Sequence, residues 1–280
     1  MRTRIIAIVL ALSCCRIAFA ADFADPPKRI VSLSPSTTEI LFAMGLGDRI
    51  AGVTNYCDYP QEAKQKPRIG GMSNPSLEAV LSLRPDIVVM TTDGNPKEFE
   101  ERLVSLRINT YVFEARTIRD LPRGIRKLAS ALGVEERGEK LAKSIEKGIR
   151  KAAPPAAGVA ARAAKEKVLF IVWPEPLLVA GPGTAIDDAV RLLGAENIAS
   201  RASTAYPKYS IEEVIRQAPE VIIIGKGSGM DMVAVSKGLL NRLSSVPAIK
   251  NSNVCYVGDG LYRLGPRVAQ GIEELAQCLK

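Results

Sequence analysis

The sequence predicts an α/β protein built from two similar lobes, each with a mainly parallel central sheet. Short apolar strands alternate with amphipathic helices along most of the chain, which is typical of strands linked by helical crossovers. One helix-turn-strand segment also occurs twice. "SLEAVLSLRPDIVVM" (76–90) and "SIEEVIRQAPEVIII" (210–224) share Ser, Glu, Val and Pro at corresponding positions. The repeat indicates two structurally equivalent halves.

The first half alternates strand and helix. Ser34 and its neighbours are good helix N-caps, and Ser76 caps the first copy of the repeat. "DIVVM" is an unbroken apolar run, which is typical of a strand covered on both faces. The predicted elements are the strand "RIVSL" (29–33), a helix over 38–45, the strand "RIAGV" (49–53), a helix from Ser76 to Pro85, the strand "DIVVM" (86–90), a helix over 95–106 and the strand "TYVF" (110–113).

The second half follows the same order. Ser210, with Glu213 three residues later, forms a capping box at the start of the second copy. The predicted elements are the strand "KVLFIV" (167–172), a helix over 184–194, the capped helix from Ser210, the strand "EVIII" (220–224), a helix over 237–243, the strand "VCYV" (254–257) and a last amphipathic helix over 266–278.

A helical connector separates the halves. Residues 120–153 combine charges of alternating sign with Leu and Ile at helical spacing, and an Ala/Pro-rich stretch follows. The connector is too long for a simple hinge. We therefore expect an N-terminal lobe over 21–119, a connecting segment over 120–165 and a C-terminal lobe over 166–280.

The first twenty residues have the pattern of an export signal. Two arginines precede a short apolar run (5–12), and "AFA" (18–20) is a small-x-small cleavage site. The apolar run is too short to span a bilayer. The alternative is lipid attachment at Cys15, because "LSCC" (12–15) loosely resembles a lipoprotein box. Both alternatives predict an exported, periplasmic protein.

Three cysteines follow the signal: Cys57, Cys255 and Cys278. An odd number permits at most one internal disulfide. Cys255 falls in a late predicted strand and Cys278 in the last helix, so this pair is a candidate bridge in an oxidising compartment. Three buried thiols are the alternative.

The chain lacks the residues that several kinds of catalysis, metal binding and nucleotide binding usually require. The chain has no histidine, which removes Ser/His and Cys/His nucleophilic pairs and the common ligands of zinc, haem and copper. It has no Cys-x-x-Cys and no P-loop, and "GKGSG" (225–229) fails the dinucleotide-binding spacing. Charges are interspersed and aromatic residues make up 5% of the chain, so no nucleic-acid groove is expected. No catalytic residue, metal ligand or cofactor is assigned.

Longer segments resemble one family. "RIVSLSPSTTEILFAMGLGDRIAGVTNYCDYP", "IGGMSNPSLEAVLSLRPDIVV" and "YPKYSIEEVI" are similar to bacterial periplasmic substrate-binding proteins of the helical-backbone class (class III). Within it the match is strongest to cobalamin (corrinoid)-binding proteins of ABC importers, and it runs from about residue 28 to the end. The resemblance implies one long helix joining the lobes, a ligand cleft between them, and delivery to a permease dimer with its ATPase.

The resemblance also implies a role for the repeated glutamates. In this family an acidic residue at a helix start in each lobe docks onto arginines of the two membrane subunits, and Glu78 and Glu212 fall on those positions. One carboxylate on each of two similar lobes matches the two copies of a basic pocket on a symmetric dimer. The alternative is that each glutamate only complements a helix dipole.

The family's ligand contacts map onto loops at strand ends. Met72 and Thr91 stand where the best-known cobalamin binders have tryptophans. The ligand-binding residues that the resemblance implies are Tyr56, Met72, Trp173, Tyr206, Asp259, Gly260, Leu261, Tyr262 and Arg263.

The expected function is capture of cobalamin or a related corrinoid by a monomeric receptor. Haem or a ferric siderophore is the alternative within the class. Haem would require a tyrosine ligand, and a siderophore would require cations, for which Arg263 and Arg267 are the candidates. An exported enzyme using paired carboxylates, or a receptor for surface sensing, is the alternative outside it.

Overall fold

The computed structural model describes residues 26–153, 165–227 and 230–279. The predicted export signal, the lipid-attachment alternative, most of the Ala/Pro-rich segment and part of "GKGSG" lie outside the described residues. Within the described ranges, no helix combines the length and apolar character needed to cross a bilayer.

The strands form two separate sheets. The first has the order β2-β1-β3-β4 with every pair parallel. The second has the order β6-β5-β8-β9, with β7 also pairing with β5. Among the described strands of this sheet, β5 and β6 are antiparallel and the other pairs are parallel. The strands are β1 (Ile30–Ser32), β2 (Ile50–Val53), β3 (Ile87–Thr91), β4 (Thr110–Phe113), β5 (Lys167–Pro174), β6 (Leu177–Val179), β7 (Glu196–Asn197), β8 (Val221–Gly225) and β9 (Val254–Val257).

Helices cover both sheets. Short 3₁₀ turns at Gly47–Arg49 and Gln61–Gln65 accompany them. The helices are α1 (Pro35–Ala43), α2 (Leu77–Ser82), α3 (Lys97–Ser105), α4 (Leu121–Ala131), α5 (Glu135–Ala152), α6 (Ala185–Leu192), α7 (Ile211–Gln217), α8 (Met232–Arg242), α9 (Pro247–Lys250) and α10 (Val268–Cys278). The helix expected over 237–243 begins earlier, because Asp231 caps it by accepting the backbone N–H groups of Val233 and Ala234.

The repeated segment occupies the same place in each sheet. Its two helices, α2 and α7, lead into β3 and β8, the third strand in each order. Ser76 and Ser210 both cap their helix by accepting a backbone N–H three residues later. Before Pro85 and Pro219 each copy has a residue with positive φ, Arg84 at 45° and Ala218 at 50°. The repeat therefore specifies a shared turn as well as a shared helix and strand.

The connector contains two helices where the sequence suggested one. Gly133, with φ of 65°, ends α4, and α5 then runs back against it. A Cβ on Gly138 would lie 2.1 Å from the Cβ of Ala129, so the absence of a side chain sets this close approach. Arg126 on α4 also pairs with Glu139 and Glu146 on α5. The 18-residue α5 is the long helix of the connector.

The lobes share a continuous apolar core. One cluster of buried residues includes Ile40 of the first lobe, Ile145 of α5, and Phe170 and Ile272 of the second lobe. Two smaller clusters belong to one lobe each. Because a packed core resists rearrangement, the lobes are held at a defined separation.

Cys255 and Cys278 form a disulfide that joins β9 to α10, with a Cα–Cα distance of 5.9 Å. Cys57 is a buried free thiol. Of the two sequence alternatives, the structure therefore has the bridge.

A candidate ligand-binding cavity between the lobes

A cavity of about 590 Å³ lies between the two lobes. Thr91 and Phe113, which end β3 and β4, contribute to its wall, as does Tyr262, which follows β9. Ligands of open α/β sheets collect at such strand ends. The lining residues are Pro35, Ser36, Tyr56, Met72, Thr91, Thr92, Asp93, Gly94, Phe113, Ala115 and Arg116 from the first lobe, and Ala185, Ile186, Tyr206, Tyr262, Arg263 and Leu264 from the second.

Five of the residues implied by the resemblance line this cavity: Tyr56, Met72, Tyr206, Tyr262 and Arg263. Tyr56 and Tyr206 face it from opposite lobes and are 59% and 42% exposed. Exposed aromatic rings on both sides are the surfaces against which a flat apolar ligand packs.

Enclosure by the surrounding protein raises the pKa of Tyr206 to about 12, and the nearby carboxylate of Asp93 adds to the rise. Burial also raises the pKa of Tyr262, whose hydroxyl donates to the Lys226 carbonyl. Both phenols are therefore protonated at neutral pH.

The structure does not bring Trp173 to the cavity wall, and the expectation that it is a platform in the cleft is corrected. The pairing of β5 with β6 shifts register between Ile171 and Trp173. Trp173 packs against the apolar cluster of the second lobe, which contains Leu169 and Ile171. The indole N–H donates to the carbonyl of Glu175 at 2.8 Å.

Three residues of "DGLYR" also lie away from the cavity wall. Leu261 is fully buried in the shared core. A Cβ on Gly260 would lie 2.9 Å from the carbonyl oxygen of Arg267, so this glycine permits close packing against the start of α10. Asp259 pairs with arginines. This part of the loop supports the cavity without lining it.

An asparagine that the sequence did not single out ties the cavity loops together. The side-chain oxygen of Asn95 accepts the backbone N–H of Thr91 at 2.8 Å. Its amide nitrogen donates to the carbonyls of Leu33 and Met72, each at 2.9 Å. One side chain thus connects the ends of β1 and β3 to the loop that carries Met72.

The loop that carries Tyr56 is anchored on its buried neighbour Cys57. Thr38 donates to the Cys57 sulfur at 3.2 Å, and Arg68 donates to the carbonyls of Thr54 and Cys57 at 2.7 and 2.9 Å. Burial raises the pKa of the thiol above its usual value. Cys57 therefore serves as a neutral packing group that fixes the backbone beside Tyr56.

Beneath the cavity, five charged side chains join the lobes. Arg267 donates to Glu39 at 2.5 and 2.9 Å and to Asp259 at 2.6 Å. Arg263 pairs with Asp259 at 2.9 Å, with Glu39 at 3.8 Å, and with Asp58. Glu39 and Asp58 belong to the first lobe and the other three to the second. We call these five residues the interlobe ion cluster.

Three carboxylates and two guanidinium groups leave the interlobe ion cluster with an excess negative charge. The side chain of Glu39 is 1% exposed, so its charged form is poorly solvated. Burial raises the pKa of Glu39, and Arg267 and Arg263 oppose that rise. The hydrogen bonds that Arg267 donates to Glu39 raise the pKa of Arg267. Glu39 therefore depends on Arg263 and Arg267 to remain ionised. Both arginines are held in ion pairs within the interlobe ion cluster.

Arg116 and Asp93 form a second polar pair, at the rim of the cavity. The Nε of Arg116 lies 3.2 Å from Asp93 Oδ1 and donates to Thr92 at 3.1 Å. The side chains of Arg116 and Asp93 are 54% and 50% exposed. Loop residues after strands have no periodic signal, and the sequence analysis did not single out this pair.

Glu78 and Glu212 are exposed in the first turns of α2 and α7. A hydrogen bond from its own backbone N–H, together with one from Ser210, holds the pKa of Glu212 below its usual value. The carboxylate of Glu212 is therefore ionised throughout the neutral range.

Residues 30–260 match the family model described as "Periplasmic binding protein". The chain belongs to the periplasmic binding protein family. Family membership confirms the α/β architecture of two parallel-sheet lobes, and it implies an extracytoplasmic location.

Individual members of the family are similar along nearly the whole chain. The vitamin B12-binding protein of Pectobacterium atrosepticum is 30% identical over 280 residues, which is 100% of this chain and 96% of that protein. An uncharacterized ABC transporter substrate-binding lipoprotein, YvrC of Bacillus subtilis, is 30% identical over 90% of this chain and 80% of its own length. The solved structure of the periplasmic heme-binding protein RhuT from Roseiflexus sp. RS-1 has a TM-score of 0.79 at 30% identity, and the match covers 90% of this chain and 97% of that one.

Proposed function

We propose that this periplasmic binding protein captures cobalamin or a related corrinoid between its lobes and delivers it to an ABC importer. The observation that carries the proposal is the interlobe cavity, which Tyr56 lines from the first lobe and Tyr206 from the second. The full-length similarity to a vitamin B12-binding protein supports the choice of ligand. Binding alone is required, and no bond is made or broken.

The lining of the site suits a large, rigid ligand. Met72 and Phe113 add apolar surface to the two tyrosines. Preformed apolar walls bind a flat macrocycle with little loss of conformational freedom. The shared core and the interlobe ion cluster support only modest closure of the lobes around it.

Haem is the second candidate, because a heme-binding protein of equal identity has the same fold. The sequence has no histidine, so a protein ligand to haem iron would have to be a tyrosine. Isothermal titration calorimetry of the purified full chain with haem, and the absorption spectrum of the mixture, test this candidate. Saturable binding with the spectrum of tyrosine-ligated iron would favour haem over a corrinoid.

We further propose that Glu78 and Glu212 dock onto a permease dimer. Both are exposed, and they occupy corresponding positions in the two repeats. Charges placed in this way steer encounter and fix orientation more than they increase affinity.

Reversing both charges tests the docking assignment. The double variant Glu78→Lys/Glu212→Lys should retain wild-type affinity for cyanocobalamin and lose uptake in cells that carry the cognate importer. The matched control is Glu101→Lys/Glu273→Lys, which makes the same charge change at one exposed site per lobe. Uptake that survives in the docking variant, or that is lost equally in the control, would contradict the assignment.

A further inference from the structure

The cavity contains two arginines in very different states. Arg263 is 10% exposed and is held by Asp58, Asp259 and Glu39 in the interlobe ion cluster. Arg116 is 54% exposed at the rim, where Asp93 is its carboxylate partner. Of these two arginines, Arg116 is the one that is exposed to solvent and has a single acidic partner among the described residues.

The contacts of Arg116 leave its terminal nitrogens available. The interactions with Asp93 and Thr92 both use Nε. Among the described residues, the two Nη atoms of Arg116 make no hydrogen bond. A guanidinium group presents paired N–H donors that match the oxygens of phosphate and carboxylate groups. An ion pair between two half-exposed side chains is weak, so Asp93 is readily displaced by a stronger anion.

We propose that Arg116 determines ligand specificity by binding an anionic group at the edge of the ligand, in exchange for its contact with Asp93. A flat ring between Tyr56 and Tyr206 places its peripheral substituents at the cavity rim, where Arg116 lies. For a cobalamin this group is the phosphodiester of the nucleotide side chain. The assignment rests on the proposed function and adds to it a preference for complete corrinoids.

Comparing the binding of two corrinoids tests this contact separately from the rest of the site. Cyanocobalamin has the phosphodiester, and dicyanocobinamide lacks the whole nucleotide side chain. Isothermal titration calorimetry of the full chain with each corrinoid should show tighter binding of cyanocobalamin. The Arg116→Gln variant should lose cyanocobalamin affinity on the order of tenfold to a hundredfold, the range of hydrogen bonds to charged groups. Its dicyanocobinamide affinity should change less than about twofold, because the lost contact is absent from that ligand.

Two further variants control for charge and for the ion pair. Arg119→Gln removes the same charge from an exposed residue nearby that does not line the cavity, and it should leave both affinities unchanged. Asp93→Asn removes the competing carboxylate and should bind cyanocobalamin at least as tightly as the wild type. Higher ionic strength should weaken the binding of cyanocobalamin more than the binding of dicyanocobinamide.

The failure of the Arg116 assignment is distinguishable from failure of the proposed function. Equal losses for the two corrinoids in Arg116→Gln, or no loss for either, would overturn the role of Arg116 while leaving corrinoid binding intact. A loss in Asp93→Asn as large as in Arg116→Gln would show that the ion pair is structural and would also overturn it. The absence of saturable binding of both corrinoids to the wild type would overturn the proposed function, and this assignment with it.

Discussion

Removing Arg267 should destabilise the protein far more than neutralising Glu39. Arg267 makes three charge-assisted hydrogen bonds, two to Glu39 and one to Asp259. Breaking a buried ion pair by deleting one partner costs about 3–5 kcal/mol, because it leaves the other charge buried. The variant Arg267→Met should therefore lower the free energy of unfolding by about that amount.

Glu39→Gln has the opposite effect on the charge balance. The interlobe ion cluster has three carboxylates for two guanidinium groups, so removing one negative charge leaves equal numbers. The glutamine oxygen can still accept a hydrogen bond from Arg267. The amide nitrogen replaces the second acceptor oxygen, so one N–H of Arg267 loses its partner. We expect a loss of about 1–2 kcal/mol, within the range for one buried donor left without an acceptor.

The pH dependence follows from the raised pKa of Glu39. Arg267 is the strongest influence opposing that rise, so in Arg267→Met the folded-state pKa rises further above the ordinary 4.5. A carboxyl group with a raised pKa binds its proton more readily in the folded state than in the unfolded state. Stability therefore increases as the pH falls through the folded-state pKa toward 4.5. The deficit of Arg267→Met relative to the wild type should shrink between pH 7.5 and about pH 5.

Urea unfolding at both pH values measures these differences. The control is Arg126→Met, which also removes two ion pairs, but at a site where the arginine is 36% exposed; we expect a loss of about 1 kcal/mol or less. The double variant Arg267→Met/Glu39→Leu replaces the buried pair with apolar groups and should recover most of the loss. A loss below about 1 kcal/mol in Arg267→Met, or an equal loss in Glu39→Gln, would refute the reasoning.

Three other predictions concern the fold and the cavity. Replacing Cys255 and Cys278 by serine should cost about 3 kcal/mol of stability, as expected for a bridge that closes a loop of this size; a change near zero in thermal unfolding would contradict this. Gly138→Ala should destabilise by about 1–3 kcal/mol, despite the higher helix propensity of alanine, because the new methyl group meets Ala129; a gain in melting temperature would show that α4 and α5 separate easily. Because the pKa of Tyr206 is about 12, cyanocobalamin affinity measured by calorimetry should be constant from about pH 7 to pH 10, and a fall across this range would contradict the protonated phenol.

The sequence predicted the sheets and the repeat because both depend on local patterns. Apolar runs such as "DIVVM" are determined by burial on both faces, and the serine caps depend on residues three positions apart. The division of the connector was missed although the sequence carries a signal for it, since glycine is enriched just past the end of a helix. The positive φ of Gly133 shows that it has this role.

The candidate site was predicted only in part. Tyr56, Met72, Tyr206, Tyr262 and Arg263 line the cavity as the resemblance implied. Which face of β5 becomes the core, and so where Trp173 points, depends on packing between elements distant in sequence. The roles of Asn95 and Arg116 arise from contacts between loops that follow different strands, and no periodicity in the sequence marks such contacts.

The most direct test of the account is calorimetric titration of the purified full chain with cyanocobalamin. We expect one saturable site per chain, with affinity reduced by Tyr56→Ala and by Tyr206→Ala. The absence of saturable heat with cyanocobalamin, together with tight binding of haem to the same preparation, would contradict it.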